Sequence, residues 1–199
     1  DSREGGITLD NSPMRGCAGS VFTSMDSLQL ATYYDRENVR LIILEYGGNS
    51  VPGLRSAASI ANFKTSIARQ IQYVRRCAPQ AVVLFIGPSD MSTRVNGVMQ
   101  TYPHMEDIVH ALCEAANESG AAYWDLYAAM GGHNAMVEWV KSRPQLAGSD
   151  YVHFTHLGAN RVAELFYESL MVYYDYYHAR QQQISAFRAE ADSLAATMQ

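Results

Sequence analysis

Asp150 and His153 stand three residues apart in Ser149-Asp150-Tyr151-Val152-His153-Phe154-Thr155, directly ahead of His156-Leu157-Gly158 and an apolar-periodic stretch. A carboxylate one turn from an imidazole is a compact way to build an oriented general base. The acid accepts a hydrogen bond from one ring nitrogen, sets the tautomer, and leaves the other nitrogen to take a proton from a nucleophile. The same D-x-x-H spacing also suits a turn aspartate beside a capping histidine, so the pair must be weighed with the rest of the chain.

Two further segments carry groups suited to the other half of such chemistry. Asn11-Ser12-Pro13-Met14-Arg15-Gly16-Cys17-Ala18-Gly19-Ser20 follows the first apolar run, and its glycines permit a tight turn that brings backbone N–H groups close to a ligand. Gly47-Gly48-Asn49-Ser50 follows the second run and presents an amide side chain. An N–H from the first loop and the Asn49 amide together can stabilise a developing oxyanion. Glycine-rich strand ends are also ordinary turns, and asparagine is common there because it tolerates left-handed geometry.

Lesser candidates lie near these loops. Asp90, in Gly87-Pro88-Ser89-Asp90-Met91-Ser92, sits at a strand end and can either touch substrate or cap a helix. Arg15 is placed to bind a substrate oxygen, and Met130-Gly131-Gly132-His133-Asn134 can form a flexible lip. Ser20, Ser50 and Ser89 suit turns and caps better than a nucleophile's role, and Cys17 suits packing under its loop better than thiol catalysis. His104, His110, His133, His156 and His178 form no i, i+4 pair with a third carboxylate ligand, so no metal centre is expected.

The elements that must position these groups alternate. Apolar runs at 6–10, 39–46, 81–86 and 122–125 read as strands, near-continuous as in a parallel sheet covered by helices on both faces. Helical periodicity fills 57–77, 103–119 and 158–177, the second closing at Gly120. The pattern predicts an α/β domain over 1–179. A second amphipathic helix is expected over 180–199, with Ile184, Phe187, Ala191 and Leu194 on one stripe, packed on the domain or on a partner. Tyr173, Tyr174, Tyr176 and Tyr177 read as interface or groove lining.

Composition narrows the function. The chain has 199 residues, 48% hydrophobic and 18% charged, enough for one ordinary domain. A formal net charge of -5 with no basic cluster argues against nucleic acid, and no apolar run is long enough to span a membrane. Cys17, Cys77 and Cys113 are far apart without C-x-x-C spacing, which leaves one disulfide plus a free thiol or three buried thiols open.

Three loops in this order, Gly16 to Gly19, Gly47-Gly48-Asn49, and Asp150 to His153 before the last helix, resemble the SGNH (GDSL-like) hydrolase family over essentially the whole chain. The resemblance implies a three-layer α/β/α flavodoxin-like fold and a serine esterase, whose reaction needs no organic cofactor. It assigns the oxyanion hole to Gly16 and Asn49, the orienting acid to Asp150 and the base to His153. Ser50 stands where the family has an aspartate that is not a triad member.

The family's first block, G-D-S, which carries the nucleophilic serine, is not found. Asp1-Ser2 match its last two letters, but only four residues separate Ser2 from Ile7, where the first strand would begin, too few for a parallel crossover. Leu9-Asp10-Asn11-Ser12-Pro13-Met14-Arg15-Gly16, Ala128-Ala129-Met130-Gly131-Gly132 and the Asp150 segment look similar to bacterial members in which an inserted β-rich domain separates the first block from the rest. The chain is then the carboxyl-terminal part of a longer exported protein, periplasmic or extracellular. The substrate this implies is an acylated, above all acetylated, carbohydrate or cell-envelope glycan, or a small ester.

On that reading the first strand of the fold is absent, leaving a gap between strands beginning at Ile7 and Val39 that an upstream segment or a second chain fills. Direct pairing of those two strands would overturn it. A glycan- or protein-binding module without turnover, and acyl transfer to a sugar hydroxyl by the same residues, are the alternatives.

Overall fold

Leu41–Glu45 (β1), Val82–Ile86 (β2) and Ala122–Trp124 (β5) form a parallel sheet in the order β1-β2-β5. Leu41 stands opposite Val82, and Leu84 opposite Ala122. The computed structural model describes residues 6–14 and 16–197, with side chains described as far as 191. The branched residues of β1 and β2 favour the extended backbone, and the parallel arrangement is satisfied by helical crossovers.

The main crossover is Ala57–Cys77 (α2), opened by a capping box in which Ser56 and Ser59 exchange hydrogen bonds. Ile60, Ile67, Ile71 and Val74 are buried along its inner stripe. Met105–Glu118 (α3) repeats this with Met105, Ile108 and Leu112, and Gly120 follows it in the left-handed region at φ 71°. These two helices, with Leu44, Val83 and Phe85 from the sheet, enclose the main core. A shorter helix, Ser27–Arg36 (α1), joins the same layer through Tyr34 and is capped by Asp26, which accepts the Gln29 N–H at 2.8 Å.

The opposite face is covered unevenly. Leu126–Met130 (α4), Ala135–Lys141 (α5) and the start of His156–Thr197 (α6) pack a second core around Ile86, Met136 and Trp139. Farther along that face, Leu41, Ile43 and Val82 are 47%, 40% and 62% exposed. The expected helix cover on both faces is therefore only partial. Among the described residues β1 is paired on one side alone.

The expected first strand does not form. Residues 6–10 are irregular, with Ile7 and Leu9 standing 100% and 84% exposed, and Asp10 accepts a hydrogen bond from the Tyr33 hydroxyl on α1 at 3.0 Å. Five apolar-leaning residues do not make a strand without a neighbour to pair with. The expected gap between two strands is thus replaced by an open edge on β1. Asp1 and Ser2 lie outside the described residues.

An antiparallel hairpin of Ser92–Val95 (β3) and Val98–Thr101 (β4) was not anticipated, yet its Asn96-Gly97 turn is the strongest short hairpin signal. Both turn residues have positive φ, 50° and 85°, as that turn requires. Of the cysteines, all free, only Cys77 is buried. The two helices expected at 158–177 and 180–199 are one continuous helix from His156 to Thr197.

Candidate active site

The segment from Gln145 to Gly158 is tied down at almost every residue. The His153 carbonyl accepts the Gly148 N–H at 2.7 Å, the Gly148 carbonyl accepts the Tyr151 N–H at 3.0 Å, and Ala147 bridges Phe154. Thr155 donates its N–H to the Leu146 carbonyl at 2.9 Å, while its Oγ1 accepts the Gly158 N–H at 3.1 Å and so caps α6. A β-carbon at Gly158 would lie 1.8 Å from the Leu146 carbonyl oxygen, so only glycine lets α6 start this close to the loop.

Within this frame Asp150 serves both backbone and ring. Its Oδ1 accepts the Val152 and His153 N–H groups, each at 3.0 Å, and its Oδ2 lies 2.8 Å from His153 Nδ1. The hydrogen bond from the His153 ring, followed by the His153 and Val152 N–H groups, holds the Asp150 carboxyl down at about 2. An ionised carboxylate only accepts, so Nδ1 carries the shared hydrogen and Nε2 offers its lone pair. The His153 side chain is 82% exposed, and among the described residues no hydroxyl or thiol is hydrogen-bonded to its ring.

The Asn49 turn reaches the loop that contains Gly16. Asn49 Nδ2 donates to the Cys17 carbonyl at 3.3 Å, which joins the turn after β1 to the loop containing Gly16. Gly47, at φ 123°, leads from β1 into the short 3-10 turn Gly48–Gly53 that carries Asn49. Gly16 is left-handed at φ 69° and exposed, with nothing within 4 Å of where a β-carbon would stand. At Gly19 a β-carbon would come within 2.8 Å of Tyr46 Cγ, so this glycine seats the loop against the strand end.

The loop after β2 connects the two halves. A β-carbon at Gly48 would touch Met91 Sδ at 3.7 Å, and the neighbouring Ser92 N–H donates to the Tyr151 carbonyl at 3.0 Å. All three loops leave the carboxyl ends of parallel strands or lie against them, the side on which such sheets bind ligands.

The lesser candidates take other places. Asp90 is wholly buried: Thr101 Oγ1 donates to its Oδ1 at 2.9 Å and the Met136 N–H to its Oδ2 at 2.8 Å. Burial pushes its carboxyl up, opposed by those hydrogen bonds. It joins loops and offers a ligand no surface. Met130 is 6% exposed in the second core, and its carbonyl accepts the Trp139 Nε1 hydrogen at 3.2 Å. The expected flexible lip is fastened as well, since the Asn134 N–H donates to Thr101 Oγ1 at 2.7 Å and Asn134 Oδ1 accepts the Thr101 N–H at 3.1 Å. Arg15 lies outside the described residues. Cys17 Sγ accepts the Gly19 N–H at 3.4 Å within its own turn.

The Asp90–Thr101–Asn134 knot is what sequence reading missed. Its members are 11 and 33 residues apart, so no local spacing reveals it. Among the described residues no group of three or more His, Cys, Asp or Glu side chains is arranged to hold a metal, and no helix is long and apolar enough to cross a membrane.

The model of the GDSL-like lipase/acylhydrolase family matches residues 2–161. The chain belongs to that family. Among solved structures this chain overlays on a peptidoglycan O-acetylesterase with a TM-score of 0.66 at 22% identity, covering 78% of this chain and 43% of that one. A further crystal structure gives a TM-score of 0.51 at 16% identity, over 77% of this chain and 69% of that one. The periplasmic domain of a lipopolysaccharide acetyltransferase from Salmonella ser. Paratyphi A gives 0.48 at 12% identity, over 71% and 60%. At these identities the likeness to the first two is one of fold. The chain thus spans less than half the length of the first of these structures. No curated protein matches the sequence.

Proposed function

We propose that this chain supplies the base and the oxyanion hole of a serine esterase that removes acetyl groups from a carbohydrate or cell-envelope glycan. The observation that carries the reading is the 2.8 Å contact of Asp150 Oδ2 with His153 Nδ1, which leaves Nε2 exposed for a nucleophile. Membership of an acylhydrolase family and the meeting of Asn49 with the Gly16 loop support it.

In the proposed reaction a serine in upstream sequence attacks the acyl carbon and gives its proton to His153 Nε2. The tetrahedral oxyanion is held by the Gly16 N–H and Asn49 Nδ2. Collapse breaks the bond to the sugar oxygen, which leaves with the proton from His153. Water, activated by the same nitrogen, then releases the acid and regenerates the serine. Arg15, at the oxyanion turn, is assigned to a substrate oxygen.

The open edge of β1 and the exposed apolar face of Leu41, Ile43 and Val82 support an upstream segment, or a second chain, as the source of both the missing strand and the serine. An exported protein, periplasmic or extracellular, would meet such a substrate.

The test joins residues 1–199 to their upstream sequence and follows acetate release from p-nitrophenyl acetate and from O-acetylated glycan. Release that depends on both His153 and one upstream serine is the expected result. Release that survives His153→Ala, or none from any acetylated sugar with the upstream sequence in place, would sink the proposal. Added sugar acceptors separate transfer from hydrolysis, since only water access to the acyl-enzyme differs.

A further inference from the structure

Helix α6 is 42 residues long, far beyond what the domain uses. Val162, Leu165 and Phe166 pack into the second core, the Phe166 ring lies 5.0 Å from Trp124, and Ser169 Oγ accepts the Trp124 Nε1 hydrogen at 3.1 Å. From Val172 to Ala191 every side chain is exposed except Ile184, which is half-buried. An isolated helix of that length gains little from its own hydrogen bonds, and its stability ordinarily comes from a covered apolar face.

The sequence of the projecting part has such a face. Leu170, Tyr173, Tyr177, Arg180, Ile184 and Phe187 recur at alternating steps of three and four, and Ala191 continues the series. That is the 3.5-residue period of a left-handed coiled coil rather than the 3.6 of a helix lying on a globular core.

We propose that α6 pairs with α6 of a second copy of this chain in an antiparallel two-stranded coiled coil. The one charged seam position decides the orientation. A parallel pair would set Arg180 against its own copy, like charge facing like charge in the seam. An antiparallel pair sets Arg180 across from Tyr177 of the other copy, where the guanidinium lies on an aromatic ring. The same register then matches Tyr173 with Ile184 and Leu170 with Phe187, a large residue against a branched or unbranched aliphatic in each layer.

The area is sufficient. Tyr173, Tyr177 and Phe187 are 73%, 57% and 73% exposed, and Leu170 is 44% exposed. With the flanking seam positions, closing both copies buries roughly 1,200 Å², the lower limit for a specific interface.

Sedimentation equilibrium of residues 1–199 at micromolar concentration tests this, with Phe187→Glu and Tyr173→Glu as variants and far-ultraviolet circular dichroism as the second readout. A dimer that each substitution weakens at least tenfold, with loss of helical signal only from the projecting segment, is the expected result. A monomer at all concentrations, or a dimer indifferent to both substitutions, overturns the pairing. Both variants lie outside the second core, so an unchanged near-ultraviolet tryptophan spectrum reports that the domain itself remains folded.

Discussion

Asp150 holds His153 at two points, its Oδ2 lying 2.8 Å from the ring Nδ1 and its Oδ1 accepting the backbone N–H of the same residue at 3.0 Å. Ring and backbone are therefore oriented by one side chain. A chance surface ion pair seldom constrains both.

Replacing Asp150 with Asn keeps an oxygen for the Val152 and His153 N–H groups but no longer enforces a hydrogen on Nδ1. In the protein with its upstream sequence, turnover of acetyl esters should fall by about 10²–10⁴ while KM changes little. His153→Ala should fall at least as far. Steady-state kinetics decide, and a loss confined to KM would assign the pair to binding.

The same carboxyl sets an acid dependence of stability. Its folded-state value of about 2 is below the unfolded one, so its contribution is present above about pH 4 and is lost as pH falls toward 2. Urea midpoints of the chain and of Asp150→Asn should differ by a constant amount near neutrality and converge toward pH 2. The difference is small because the side chain is 53% exposed and solvent-screened. Midpoints that diverge on acidification would reverse the assigned sign.

Asn49→Ala should lower kcat by about 10²–10³ with the fold intact, the loss expected for one oxyanion donor. Full activity in this variant would move the oxyanion site elsewhere.

Asp90→Ala should destabilise the domain by about 2–3 kcal/mol, because the Thr101 hydroxyl and Met136 N–H lose a buried acceptor. Asp90→Asn retains an acceptor and removes the burial penalty that raises the carboxyl, so its cost should be less than half of that. Chemical denaturation at pH 7 measures both. Equal costs for the two would mean that the charge, rather than the hydrogen bonds, matters.

Gly158→Ala places a β-carbon against the Leu146 carbonyl and must lift α6 from the base loop. A loss of roughly 3 kcal/mol, or about 6–12 °C in Tm, is expected from overpacking against backbone that cannot rotate away. Thermal melting within 2 °C of the parent would show that the loop yields.

The parts of this protein legible in the sequence are those set by local pattern. The apolar runs at β1 and β2 and the 3.6-residue period of α2 need only their own residues to be recognised. Asp150 and His153 meet because three residues separate them, and that too is local. Signals for α1 and for the β3–β4 hairpin are present in Asp26 and in Asn96-Gly97 but lie outside the alternation of long apolar runs with helical periods.

What tertiary structure alone decided involves residues with no fixed spacing. Residues 6–10 have strand-like composition but no pairing partner, and pairing is what makes a strand. Asp90 at a strand end looks like a ligand-facing acid until Thr101 and Met136 close over it, and Met130 looks like a lip until the second core encloses it. The chain by itself determined the pairing of Asp150 with His153, because hydrogen-bond reach across three residues is a property of the backbone. Which other polar groups face a substrate was decided by packing, because burial depends on contacts between segments that the order of residues does not bring together.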